Sequence, residues 1–555
     1  MPLFSTVKDN VHSLKLPPRP VSPNLQSTLF STHKLESLSI ASLRMKQVNF
    51  FTAAMVACMA KLVASADIVA DSQNVTAPDF IGKAATSQPL RPKERFSPDA
   101  LHAHIDGGNT RSDDYMGPLG ISSVASSAAV QTGYMFWENS TSLLVALECV
   151  SSQAPIGFCL AALDPETMDV LVQWTAPAGR TAVSNYWQVV DNHVVMPTLE
   201  GFIMEIQRLG TGTSTTFTQI REVDVSSRLP SGSIIAMAGY TDDENLWFVA
   251  TPAPLVGLEG SNTTTIGYVQ PDGTIFSTAL DNQIVENGMA VNGKNIYVLT
   301  GPAGPEDHAD ARGHFYAFQA DTANGGGVVT YLAGSGIKPG GLSRGSGATP
   351  SLLGQKYVAM TDNADSQINL NVYRQASAMA EGQTLSFVCS VPLFTPGASL
   401  NEASLTSHFD GTTYSAMIPN CYNSPSFLDV SEDDVNGSYN NLTQATPGVA
   451  RVRVNADESC ELVWDLPIVA TMITLSTSNG ILYAYTQDRE LAVGGQYVWY
   501  IAAFDYASGQ EIWRKRVGAG GVFNPGPSHL QLGANGRIYE GIVGGVAWVE
   551  DSPSP

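Results

Sequence analysis

Charge is scarce in this chain of 555 residues: only 14% are Asp, Glu, Lys or Arg, too few for a coiled coil or a disordered tail. Basic residues are scarcer still, 29 Lys+Arg against 51 Asp+Glu, and the net charge of −22 denies the chain the positive field of a nucleic-acid binder. Mean hydropathy is near zero and long apolar runs are few, which excludes a polytopic membrane protein. Cysteine is limited to six, with no Cys-x-x-Cys or Cys/His spacing for structural zinc. Extended amphipathic helical patterns are missing too, which argues against alternating strand–helix units. What is abundant is glycine (50) and proline (32), the composition of a β-rich protein with many turns.

One short apolar run does stand out. Arg44-Met45-Lys46, the stretch Val48 to Ala60 and Ala64-Ser65-Ala66 read as a basic region, an apolar region and an A-x-A cleavage site of a secretory signal. The expected organisation is therefore an unstructured leader or early start over 1–44, a signal peptide over 45–66, an N-terminal extension over 67–119 and a folded body over 120–555. Acid-poor, Ser-rich residues 1–44 also resemble an organelle presequence. Cleavage after Ala66 removes seven basic and two acidic residues, deepening the net charge from −22 to −27. Sequons at Asn74, Asn139, Asn262, Asn436 and Asn441 agree with export and glycosylation. Cys58 leaves with the signal, and the five remaining cysteines leave one unpaired; the expected disulfides are Cys149–Cys159 and, second, Cys421–Cys460.

The body carries a repeat. A short hairpin such as NGKNIYVLTG (Asn292 to Gly301) or NGILYAYTQD (Asn479 to Asp488) is followed by a second, usually ending in Trp, such as LAALDPETMDVLVQW (Leu160 to Trp174) or IAAFDYASGQEIW (Ile501 to Trp513). Asn-Gly before alternating apolar residues signals a type I′ turn. Unit starts fall near Trp187, Ser233, Asn287, Gly347, Ala403, Thr471 and Ser528, 46 to 68 residues apart, with one more unit from about Gly120. Two hairpins per unit make a four-stranded antiparallel blade, and blades of this length predict an all-β propeller of eight blades, alternatively seven. The last unit has about three strands, so a segment before Gly120 is expected to complete it.

The phrases LAALDPET…W and IAAFDYASGQEIW resemble the PQQ-like repeats of quinoprotein-alcohol-dehydrogenase-like propellers. The resemblance implies that Asp164 and Asp505 sit in strand-end turns and that Trp174 and Trp513 pack between blades. That superfamily holds both quinone-dependent dehydrogenases and non-catalytic scaffolds. The adjacent Cys-Cys pair that covers the quinone in many of the dehydrogenases is missing, as is a Cys-x-x-Cys-His haem site.

Ligand-type residues cluster in few places. His102, His104 and Asp106 form H-x-H-x-D, which on a strand would share one face and suit a metal. Asp362, Asn363 and Asp365 form a hard-oxygen run beside a strand, suited to calcium; Asp242-Asp243-Glu244-Asn245 is a similar run, and His308 with His314 a weaker pair. Gly341-Leu342-Ser343-Arg344-Gly345 matches G-x-S-x-G, but its Gly-rich surroundings lack the strand and helix of a nucleophile elbow. Glu402, Asp410, Cys421 and Tyr422 lie in the loop-rich stretch Ser399 to Asp434, at the longest interval between unit starts, where propellers place specificity. The expectation is a secreted, glycosylated propeller that binds a small molecule, glycan or protein at its rim. The alternative is a propeller enzyme, a metal- or quinone-dependent oxidoreductase, a lactonase or a lyase, acting on a secreted or pathway metabolite.

Overall fold

The computed structural model describes residues 67–552, except 99, 102–103, 131, 140–141, 152–153, 184–185, 254–259, 305–307, 309, 321–326, 377–384, 427–433, 471 and 527; side chains of 100, 132–139, 142 and 145–157 are also outside the description. The expected leader and signal peptide, residues 1–66, lie outside the described residues.

The repeat folds into eight antiparallel sheets. Blade 1 begins with Thr132–Asn139, and the innermost strands of blades 2 to 8 are Gln188–Val190, Ser233–Tyr240, Met289–Asn292, Ser351–Leu353, Thr406–Phe409, Ile473–Ser476 and Gln531–Leu532. The inner strands of blades 2 to 8 each begin within four residues of their expected unit starts. Second strands such as Leu246–Pro252 and Ile481–Gln487 are buried along their whole length, because neighbouring blades cover both faces. Outer strands such as Thr216–Asp224 alternate between exposed and half-covered positions, as a one-sided strand must.

Apolar packing closes the ring. Every interface between successive blades has its own hydrophobic cluster, from Trp187 with Met204 between blades 1 and 2 to Leu143 with Trp548 between blades 8 and 1. Trp513 is fully buried between blades 7 and 8, and Trp174 packs on the cluster between blades 1 and 2. Blade 8 is completed by Ser123–Ala128, which pairs with the C-terminal strand Gly545–Asp551, so the closing strand follows Gly120 instead of preceding it. Early and late chain thereby remove each other's open edge.

The turns differ from expectation in one respect. Gly293, Gly480 and Gly536 have φ of +60°, +69° and +82°, but the preceding asparagines keep negative φ, so these are not type I′ turns. Asn479 and Asn535 act through their side chains, each amide donating to a tyrosine hydroxyl four residues on (Tyr483 and Tyr539, both 2.9 Å).

The extension does more than lead into the ring. Phe80–Gly82 adds a strand outside Glu511–Ala519 of blade 7. Further on, Ala100–Leu101 pairs with the inner strand of blade 2, and Gly107, Gly108, Thr110 and Arg111 accept from Val291, Leu352, Ser407 and Leu475 on the inner strands of blades 4, 5, 6 and 7. The central channel is thus filled by a plug, and every described residue from Leu101 to Asp113 is buried. Ile105, Asn109 and Arg111 take positive φ (77°, 55° and 49°), a strained backbone for a β-branched residue and one held by the surrounding strands.

Candidate functional site

In a four-stranded meander, the links between blades and between second and third strands emerge at one end, and the hairpin turns at the other. The turn end is simple. Asp164, Asp272, Asp457 and Asp505 each stand in a turn between third and fourth strands and accept from backbone N–H groups two or three residues on. Those bonds hold the carboxyls of Asp164 and Asp272 below their ordinary range, and Asp457 is lowered first by the Ser459 hydroxyl and then by the Ser459 N–H. Asp410 caps its hairpin in the same manner, accepting from Thr412 (2.8 Å) and Thr413 (2.7 Å). Asp242-Asp243-Glu244-Asn245 is also at this end, closed on itself by Thr241 Oγ1 donating to Asp243 (2.6 Å).

The link end is where polar side chains converge, at blades 4 to 6. Glu286 enters from the link into blade 4, Ser343 to Gly347 from the link into blade 5 and Glu402 from the link into blade 6. Both glutamates are half-buried, yet Glu286 Oε1 and both carboxyl oxygens of Glu402 are closed off from solvent. Burial, then the charge of Glu286, pushes Glu402 well above the carboxylate range. Burial and the neighbouring charge thus favour the protonated form of Glu402. Ser343 Oγ donates to Glu286.

The Gly-rich link Gly334 to Gly347 makes this packing possible. A Cβ at Gly347 would lie 2.3 Å from Glu402 Oε2, and one at Gly341 3.3 Å from Oε1. Lys338 ties the link down, donating from Nζ to Ala364 O (2.6 Å) and Ser399 O (3.1 Å). Asn287 Nδ2 donates to Gly347 O, and Tyr186 from the link into blade 2 donates to Asn287 Oδ1 (2.5 Å). Cys421 lies beside Glu402, and burial pushes its thiol up to about 11.

The other candidates are distributed as follows. Asp362 is at the link end of blade 5, but its carboxylate is taken by Asn369, backbone N–H at 2.8 Å and side chain at 2.9 Å. Asp365 accepts from Ser335 N (2.8 Å), fastening the Gly-rich link, and Asn363 is buried. His104 belongs to the plug, stacked on Tyr186 (4.6 Å between rings) with Nε2 3.2 Å from Thr349 Oγ1. Asp106 is wholly buried and paired with Lys93, while His102 lies outside the described residues. His308 pairs with Asp310 on an exposed loop, and His314 stacks on Tyr316. Among the described residues no group of three His, Cys, Asp or Glu has metal-holding geometry.

One disulfide expectation is corrected. Cys460 is bonded to Cys389, joining the outer strands of blades 5 and 6 across a Cα–Cα distance of 6.1 Å, and Cys421 is free. Outer strands of adjacent blades approach each other, whereas Cys421 is in the link at the ring's polar end. Cys159 is disulfide-bonded; the side chain of Cys149 lies outside the described residues.

Glu286 escaped sequence reasoning. Its signal is positional: Tyr186, Glu286 and Glu402 are each the residue immediately before a unit start, so superposing the units would have brought them into one ring.

No protein-family model matches the chain. A protein of Archaeoglobus fulgidus is 23% identical over 422 residues, 71% of this chain and 75% of its own length. Among solved structures, the quinohemoprotein alcohol dehydrogenase of Comamonas testosteroni aligns with a TM-score of 0.48 at 10% identity, covering 85% of this chain and 82% of its own. Chaetomium thermophilum Sqt1, bound to the N-terminus of ribosomal protein L10, aligns with a TM-score of 0.42 at 9% identity, over 74% of this chain and 94% of its own.

Proposed function

We propose that this eight-bladed propeller is an exported ligand-binding protein whose site is the link end of blades 4 to 6, where it takes a small molecule, glycan or protein segment rich in hydroxyl or amine groups. The observation that carries the reading is the Glu286–Glu402 pair, two carboxyls from separate blades held under one glycine-rich link. Such a pair offers a donor and an acceptor side by side, suited to hydroxyls and amines. The plug fills the channel, which leaves the face as the place of recognition. Export is supported by Arg44 to Ala66, as argued from the sequence. Among the described residues no helix is long and apolar enough to cross a membrane.

Kinship with the PQQ-like propellers is part of the same proposal, supported by the Asp164 and Asp505 turns and the inter-blade Trp174 and Trp513. A second reading, an acid–base enzyme on the same site, is favoured by one observation: a carboxyl pushed well above the carboxylate range by burial and by a second carboxyl beside it, an environment suited to a general acid.

The test is a thermal-shift screen of hydroxylated and cationic small molecules and glycans against the wild type and Glu402→Gln. A ligand that stabilises the wild type and not the variant supports the site; ligands that stabilise both equally place recognition elsewhere. Turnover of a bound hit, abolished in Glu402→Gln and Glu286→Gln, would move the protein to the enzymatic reading.

A further inference from the structure

The fold treats the sequon asparagines differently. Asn436, in the link between second and third strands of blade 6, is engaged on both atoms of its amide. Ser72 Oγ and Gly521 N donate to Asn436 Oδ1 at 2.8 and 2.9 Å, and Asn436 Nδ2 donates to Ser72 O at 3.1 Å. Gly520 closes the space around this contact: at its φ of +94°, a Cβ would lie 2.0 Å from Ser72 Oγ and 2.8 Å from Asn436 Oδ1. A sugar on Nδ2 would have to stand where Ser72 stands.

Asn74 is the opposite case. It is exposed, and among the described residues its side chain makes no hydrogen bond. It is two residues beyond Ser72, in the strap that runs on to the added strand Phe80–Gly82. Asn262 is exposed as well, but its Nδ2 packs against Gly304, where a Cβ would come within 2.2 Å. Asn441 is half-buried and caps a short turn by accepting from Thr443 N (2.9 Å).

From these differences we infer that Asn74 carries an N-linked glycan, whereas Asn436, despite its sequon, stays bare and is the latch that holds the N-terminal strap on blades 6 and 7. The inference rests on the export reading. In the transfer, Asn74 Nδ2 attacks C1 of a lipid-linked oligosaccharide, the C1–phosphate bond breaks, and lipid pyrophosphate leaves as the amide loses one proton. The same reaction at Asn436 before folding would leave the strap undocked, so molecules with a docked strap have Asn436 unmodified.

The experiment is expression of the full chain in a secreting eukaryotic host, followed by peptide mapping after glycosidase release in heavy-oxygen water. The expected result is medium protein beginning at Asp67, labelled at Asn74 and unlabelled at Asn436. Secreted protein labelled at Asn436, or bare at Asn74 while other sequons are occupied, overturns the inference and leaves export standing. Protein retained in the cell with residues 45–66 attached overturns export and this inference with it. Variants test the latch separately. Asn436→Gln should lower the melting temperature and open residues 67–82 to limited proteolysis, whereas Asn74→Gln should lose one glycan's mass and melt as the wild type does. Equal protease resistance in the two variants would overturn the latch.

Discussion

Lys93 Nζ lies 2.7 Å from Asp106 Oδ2 at the channel axis, and the Asp106 side chain has no solvent exposure at all. Thr110 completes the carboxylate's surroundings, donating from its backbone N–H (3.1 Å) and its hydroxyl (2.6 Å). Asp106 is therefore a charge that the plug retains only because Lys93 reaches in to meet it.

Lys93→Ala should accordingly destabilise the fold by about 3–5 kcal/mol, since it strands a buried carboxylate. Chemical denaturation measures this. The double variant Lys93→Met/Asp106→Asn should be milder than Lys93→Ala, because the uncompensated charge goes with its partner; a double variant worse than the single one would contradict this account.

Asp113, at the plug's end, is pushed up to about 6, first by burial and against the opposing pull of Lys93. A carboxyl raised from 3.8 in the unfolded chain binds its proton more tightly when folded. Its contribution is therefore fully favourable below about pH 4 and is lost as pH rises through about 6, a swing of roughly 3 kcal/mol. Glu402 and Glu540, both raised well above the carboxylate range by burial, act in the same direction. Stability should be higher at pH 5 than at pH 7.5, and Asp113→Asn should flatten the profile of melting temperature against pH.

Gly347→Ala tests the packing of the carboxyl pair. With its Cβ 2.3 Å from Glu402 Oε2, alanine must displace the carboxyl or the link, at a cost of about 1–3 kcal/mol. Gly179→Ala is the control for general loss of glycine, since a Cβ there meets nothing within 4 Å, although its φ of +81° carries its own smaller strain. Urea midpoints that fall equally would refute the crowding at Gly347.

Cysteine chemistry separates the sulfurs. The Cys389–Cys460 bond spans 71 residues, so Cys389→Ser/Cys460→Ser should cost about 4 kcal/mol on the loop-entropy estimate. Cys421, with its thiol held near 11 by burial, should resist alkylation in the native protein at pH 7.5 and react once denaturant is added.

The ring was readable because each blade repeats a local pattern. Asn-Gly turns, alternating apolar residues and a recurrent Trp all act over a few residues, which is why the unit starts fall beside the observed inner strands. The plug was not readable in the same way. Leu101 to Asp113 has no strand-like alternation, because its hydrogen bonds go to five different blades and its described residues are all buried. His104 and Asp106 accordingly read as metal ligands, though their partners are Thr349 and Lys93. Pairing across blades was similarly opaque: Cys389 and Glu286 meet Cys460 and Glu402 only once the ring curves.

Ring closure by Ser123–Ala128 and the C-terminal strand has a consequence for how the molecule is made. On the ribosome the plug emerges before any blade, and Gly545–Asp551, the partner of Ser123–Ala128, emerges after all the other described strands. The inner strands of blades 4 to 7 can each find a carbonyl of residues 107–111 as they arrive, and the circle can snap shut only when Gly545–Asp551 is free. Order of translation and order of assembly are in this way written into one another.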